Sequence, residues 1–198
     1  MELTDAIRKR RMVRHFTAAP VDPAVVERLI ELTRHAPSAG FTQGQAFITV
    51  TRPDLKRAIA ALCHEEHYTG GGFHPFISEA PVLVIPCTSE AAYRRRYQED
   101  DKGGPDSAVT WPVPFWYMDI GCAVQILLLA VVDAGLSAAF AGIIEPQDMD
   151  ALRALLGIPA EVMPVGVIPI GHGAPDVPSG SLQRGRKAAA EYHHHEGW

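Results

Sequence analysis

The stretch from Ile120 to Val132 constrains this chain most. Ile120, Val124, Ile126, Leu127, Leu128, Leu129, Val131 and Val132 leave almost no polar face at helical spacing. A helix that is apolar all round has to be covered all round, because burial of apolar surface is what stabilises a fold. The run is too short to cross a bilayer, which takes roughly 20 residues, and Asp119 and Asp133 bracket it. It reads as a buried central helix over Asp119 to Ala134, with Gly135 placed to stop it. A small domain buries such a helix on one side more readily than on every side, so a second surface is expected.

At 198 residues, 47% hydrophobic and 21% charged, the chain is long enough for one domain over residues 1–198 with a substantial core. Leu3 and Ile7 mark a first helix ending near Arg10. Asp22 and Pro23 are an N-cap and first helical residue, followed by an inner face of Val26, Leu29 and Ile30, and that helix must end before Pro37. Phe47 to Val50 reads as a strand, Asp54 to Cys63 as a helix, and Val82 to Pro86 as a fully buried strand, being short, β-branched and not alternating. Ser137 to Ala141 is a short strand, Pro146 opens a helix that ends at Gly157, and Val165 to Ile170 is the last strand. Its prolines, Pro164 and Pro169, cost ladder hydrogen bonds and place it at an edge or in incomplete pairing. The class is α+β, with helices on both faces of a mixed or antiparallel sheet.

A net charge of −5 argues against nucleic-acid binding, which needs a basic face. Cys63, Cys87 and Cys122 lie in apolar surroundings at no metal-binding spacing, so they read as buried free thiols of a reducing cytoplasm. Glu2 and Asp5 stand where a secretory signal would be basic. No membrane role and a cytoplasmic location are expected.

Two early segments carry the chemistry. Arg10-Arg11-Met12-Val13-Arg14-His15-Phe16 concentrates three guanidiniums where the first helix runs out. Their planar forks suit phosphate oxygens. Ala36-Pro37-Ser38-Ala39-Gly40-Phe41-Thr42-Gln43-Gly44-Gln45 is polar, flexible backbone able to present N–H and C=O groups to a flat polar ring. Together they read as an FMN site.

These segments resemble the start of the nitroreductase family, FMN-dependent α+β oxidoreductases that act as homodimers. Those proteins open on Arg-Arg-Ser-x-Arg-x-Phe and continue with Ala-Pro-Ser-x-x-Asn-x-Gln-Pro-Trp. The resemblance continues through Asp119-Ile120-Gly121-Cys122, Gly135-Leu136-Ser137, Leu156-Gly157-Ile158-Pro159, the strand ending in Gly171, and the tail Arg184-Gly185-Arg186. It implies that Arg10, Arg11 and Met12 lie at the phosphate and ribityl groups, that Arg14 lies at the pyrimidine edge, and that Arg184 and Arg186 close on the phosphate. It places Pro37, Ser38, Ala39 and Gln43 against a flavin of the partner subunit, and the backbone of Ala141 and Gly142 near N5. The two-fold axis would pack the central helix on its copy, where Leu128→Arg is expected to dissociate or unfold the protein. The chain departs from the family at Met12, Phe41, Gly44 and Gln45. Phe41, Gln45, Trp111 and Phe115 are the candidate substrate-pocket residues.

The implied activity is hydride transfer from NAD(P)H, a transient donor, through the flavin to a nitroaromatic, quinone or similar flat acceptor by a ping-pong mechanism. Alternatives are dehydrogenation, dehalogenation or flavin fragmentation on the same fold, or flavin binding without turnover. No side chain is named as a general acid. Residues 64–75 and 91–114 do not look like core. Within 90–118, Tyr93-Arg94-Arg95-Arg96-Tyr97 and the aromatics from Trp111 onward form either a lid or pocket wall or, alternatively, a solvated helix face with aromatics in the core, and 184–198 is a tail. His64-Glu65-Glu66-His67 lacks the spacing of a helical zinc motif and reads as an exposed polar turn, so no metal is expected.

Overall fold

The computed structural model describes residues 1–198. In chain order the elements are α1 (Leu3–Lys9), α2 (Pro23–Thr33), β1 (Gln45–Val50), α3 (Pro53–Leu62), α4 (Glu65–Gly70), β2 (Val82–Thr88), α5 (Glu90–Arg96), α6 (Phe115–Asp133), β3 (Ser137–Ala138), α7 (Pro146–Leu156), β4 (Met163–Pro164), β5 (Ile168–Gly171) and α8 (Ala189–Tyr192). Short 3-10 turns cover Ala39–Phe41 and Gly180–Arg184. The helix starts follow local chemistry. Asp22 Oδ1 accepts from Ala24 N at 2.9 Å ahead of Pro23, and α3 and α7 likewise open on prolines whose missing N–H costs nothing there.

The sheet runs β1-β2-β5-β3, antiparallel throughout, with β4 added to β2. The one parallel contact is the bridge between Met12 and Ala138. β2 is buried along its whole length and alternates between two interiors. Leu83, Ile85 and Cys87 join Ile59, Phe76, Ile77 and Leu152 on the α3 and α7 side. Val82 and Val84 join Leu29, Ile120, Leu127, Ile168 and Ile170 on the α2 and α6 side. Helices therefore cover both faces, as the element order implies.

The last strand departs from expectation. β5 lies between β2 and β3 rather than at an edge. In a strand one residue's N–H and C=O point to the same neighbour. The Pro169 carbonyl accepts from Ala139 N at 3.2 Å, so its missing donor falls toward short β3, and the ladder with β2 survives. The run is also split: β4 ends at Pro164 and β5 starts at Ile168. Between them a Cβ on Gly166 would meet the Phe140 ring at 2.5 Å, so the backbone passes where only glycine fits.

α6 starts at Phe115, a turn before Asp119, and its 19 residues are long and apolar enough to cross a membrane. It packs instead on α1, α2, β1 and β2. After it, Gly135 N and Leu136 N bond back to Val132 O and Val131 O at 3.0 and 2.9 Å, the expected glycine stop. Ile120, Ala123, Val124, Leu127, Leu128 and Val131 face inward, while Met118, Gly121, Cys122 and Gln125 face out. Cys122 is thus exposed, unlike buried Cys63 and Cys87, because its helical position falls on the face this chain leaves uncovered. Leu128 is only 5% exposed and belongs to the interior, not to that outer face.

Two further expectations change. Glu65–Gly70 is a short helix rather than a turn, seated by Glu65, whose carboxylate accepts from Ile77 N, Ser78 N and Ser78 Oγ. Tyr93 in α5 is 1% exposed, so this part of residues 90–118 is core, while Arg94 and Arg95 on the same helix are solvated.

Candidate functional site

The arginine segment sits where α1 ends and the chain turns to run beside β3. Val13 N bonds Ala138 O at 2.9 Å and Thr17 N bonds His172 O at 2.8 Å, which fixes the backbone of Met12 to Thr17. From the other side Arg14 N donates to Asp176 Oδ2 at 2.6 Å. Between these segments opens a cavity of about 1060 Å³, lined by Arg8, Arg10, Arg11, Met12, Arg14 and Arg186 together with Asp176, Ser179 and Ser181. Five guanidiniums face one carboxylate. Arg10 Nη1 is buried without a partner, an arrangement that costs roughly 1–3 kcal/mol until an acceptor arrives. Excess positive charge, an orphaned guanidinium N–H and this volume fit the phosphate-bearing FMN. The Arg14 guanidinium lies over Phe73 and Phe76, 5.4 and 5.9 Å from their centroids, so its position is set by packing. Arg184 stays exposed outside this lining, and Arg186 alone of the tail pair joins it. Arg8, Asp176 and the two serines are members that sequence reasoning missed. Arg8, one helical turn from Arg11, carried the only local signal.

The Ser38 loop is built by different elements. Asp119, buried in α6, accepts on Oδ2 from Ala39 N at 2.7 Å and from Tyr93 Oη at 2.6 Å. Burial, then the bond to Asp119, pushes the Tyr93 phenol up, which keeps it protonated as the donor. Ser38 Oγ accepts from Gln43 N at 2.9 Å, and Arg96 Nε donates to Gly40 O at 3.0 Å. A Cβ on Gly44 would meet the Tyr93 ring at 2.7 Å, which explains glycine at that departure from the family pattern. Pro37 and Gln43 are exposed, and Ser38 and Ala39 half-buried. Phe41 is 73% exposed and, like Gln43, holds a positive φ (54° and 53°), a conformation costly for an aromatic residue. A Cβ on Gly40 would meet the Tyr97 ring at 2.8 Å, and Tyr97 packs edge-on against Trp111 at 5.2 Å, so Trp111 lies one ring away from this loop. Gln45 Oε1 at the start of β1 is buried and unpartnered. Phe115 is half-buried at the start of α6. Asp119 and Tyr93 were not foreseen as supports; a lone acid on the inward face of an apolar helix was the available clue.

The arginine cavity and the Ser38 loop stand apart in the chain. Arg10 and Arg11 border a crevice with Leu128, Val132 and Leu136 at the C-terminal end of α6, whereas the loop is tied to Asp119 near its N-terminal end. Asp119 to Val132 spans about 20 Å at 1.5 Å per residue. Ala141, buried and paired with Val167, and exposed Gly142 lie at the end of the β3 segment, outside the arginine cavity.

The geometry agrees with the comparisons. The family model described as Nitroreductase family matches residues 7–172. An iodotyrosine deiodinase of Haliscomenobacter hydrossis is 26% identical over 91% of this chain and 83% of its own length. An FMN reductase of Bacillus subtilis (strain 168) is 26% identical over 87% of this chain and 66% of its own. The crystal structure of nitroreductase A from Vibrio parahaemolyticus superposes with a TM-score of 0.77 at 20% identity, covering 100% of this chain and 78% of that one, a likeness of fold. The chain belongs to the nitroreductase family.

Proposed function

We propose that the chain is an FMN-dependent oxidoreductase that carries hydride from NAD(P)H to a flat, electron-poor acceptor such as a nitroaromatic or quinone, the two substrates occupying one pocket in turn. The observation that carries this reading is the arginine-lined cavity with the unpartnered Nη1 of Arg10. FMN, when bound, supplies a ring nitrogen that accepts and returns hydride. Arg10, Arg11 and Arg186 hold its phosphate through charge-assisted bonds, with Met12 giving backbone, while Arg184 adds positive charge outside the lining. Arg14 adds positive charge to the same cavity, where exclusion of water makes it count most. Ala141 and Gly142 contribute backbone at the strand end. Phe41, Gln45, Trp111 and Phe115 wall the acceptor pocket.

The second half of each site comes from a second copy of the chain. The outward face of α6 is uncovered, and the two half-sites stand at its opposite ends. A two-fold axis through the middle of that face sets the N-terminal end of one α6 beside the C-terminal end of the other. Pro37, Ser38, Ala39 and Gln43 of one subunit then meet the arginines of its partner. A homodimer in the cytoplasm, where reduced nicotinamide is made and free thiols persist, suits this reading.

A second outcome on the same site, reductive dehalogenation, is favoured by one observation: the deiodinase relative matches as much of the chain, at the same identity, as the FMN reductase. The test is the absorption spectrum of the purified protein under anaerobic conditions, before and after NADH or NADPH and then with each acceptor. Flavin bleached by a nicotinamide and restored by a nitroaromatic or quinone supports the first reading. Restoration only by a halogenated phenol, with halide release, supports the second. Bound flavin that neither nicotinamide bleaches refutes NAD(P)H-driven turnover.

A further inference from the structure

The turn into α4 gathers ligand atoms outside the lining of the arginine cavity. His64, Glu66 and His67 each bring a nitrogen or carboxylate oxygen to within 4.8 Å of the others. His64 Nε2 lies 2.9 Å from Asp148 Oδ2, and its Nδ1 lies 3.1 Å from Glu66 Oε1. The His67 ring is nearly parallel to that of His64, with centroids 5.4 Å apart. Asp148 belongs to another element, the first turn of α7, and its side chain is only 18% exposed.

We propose that His64, Glu66 and His67 form a divalent-cation site suited to Zn²⁺, with Asp148 as the outer partner that orients His64 and ties the site to α7. A metal-bound histidine almost always donates its second ring N–H to a carboxylate or carbonyl, which sets the tautomer and leaves the other nitrogen free to coordinate. Asp148 supplies that acceptor at Nε2, so the lone pair falls on Nδ1, the nitrogen that faces Glu66. Two imidazole nitrogens and one carboxylate oxygen are a donor set Zn²⁺ accepts, with water completing four-coordination at this exposed position. The cation replaces the proton that Nδ1 otherwise needs to meet Glu66. His64 takes a left-handed backbone (φ 51°) as the residue that enters α4, so α3, α4 and α7 meet at this side chain. The consequence reaches the cavity wall. Tyr68 of α4 packs edge-on against Phe76 and Phe73, the two rings beneath Arg14, and a cation that fixes α4 stiffens that support.

The exposed His193, His194 and His195 are a competing source of zinc uptake, and the test separates them. Calorimetric titration of the full-length protein, as purified with its flavin, uses ZnCl₂ alone. Wild type and a variant with His193, His194 and His195 all changed to Ala are expected to take up one equivalent per chain with the same affinity. His67→Ala and Glu66→Gln are expected to lose it while keeping the wild-type circular dichroism spectrum, which separates loss of ligands from misfolding. Asp148→Asn is expected to weaken it roughly 10–100-fold, the usual effect of losing an outer partner. X-ray absorption at the zinc edge should show two imidazoles and oxygen. No uptake by wild type, uptake lost in the tail variant, or uptake unchanged in both His67→Ala and Glu66→Gln would overturn the proposal.

Discussion

Asp119 offers the sharpest test of how the Ser38 loop is held. Its Oδ2 serves two donors at once, Ala39 N at 2.7 Å and Tyr93 Oη at 2.6 Å, and the residue is 8% exposed. Asp119→Ala leaves both donors without an acceptor in a place water barely reaches. At roughly 1–3 kcal/mol for each stranded partner, the expected loss of stability is about 2–6 kcal/mol. Tyr93→Phe removes one donor but leaves the Ala39 bond, so its cost is expected at about 1.5–3 kcal/mol, the range for a bond to a charged group. Because both act through one oxygen, the double variant should lose less than the sum, and the shortfall measures the shared bond. Asp119→Asn keeps the shape and one acceptor oxygen and should fall between wild type and Asp119→Ala. The assay is urea unfolding followed by circular dichroism, with FMN titration beside it, since a loosened loop should also weaken the cofactor half-site proposed for it. An Asp119→Ala protein within about 0.5 kcal/mol of wild type, the range of inert surface changes, with additive effects and unchanged FMN affinity, would refute the carboxylate's role.

The remaining expectations concern the cavity, the interface and the departures. Arg10→Ala with Arg186→Ala removes two charge-assisted contacts of roughly 1.5–3 kcal/mol each, so FMN affinity in a fluorescence titration should fall roughly 100-fold or more; unchanged affinity would remove both from the site. Leu129→Arg, on the half-exposed flank of α6, should give folded monomers by light scattering with reduced flavin content, whereas Leu128→Arg should unfold the chain because Leu128 is an interior residue. Thiol labelling reports the same event: Cys122 should react in the Leu129→Arg monomer and be protected in wild type, while burial, holding Cys63 at about 12 and Cys87 at about 11, keeps both silent. Phe41→Asn should raise thermal stability, by about 1 kcal/mol, because asparagine accepts the left-handed backbone that Phe41 is forced into. It should also change relative kcat/KM between acceptors and leave the nicotinamide half-reaction intact; equal loss for every acceptor would make Phe41 structural.

Local signals were legible in the amino-acid order alone. Asp22 with Pro23, the stop at Gly135 and the apolar run from Ile120 act over a few residues, and each names its element whatever the rest of the chain does. The family's motifs were legible for the same reason, being short runs such as Arg10 to Phe16. Residues that cooperate across the chain were not: Arg14 with Asp176, Ala39 with Asp119, and His64 with Asp148 are joined only by packing. The interior place of β5 belongs here too, since a proline's missing donor matters only once it is known which neighbour it faces. Tertiary structure likewise decided that Leu128 turns inward and Cys122 outward. On a helix apolar all round, hydrophobicity carries no information about which face the core takes, and only the surrounding elements choose.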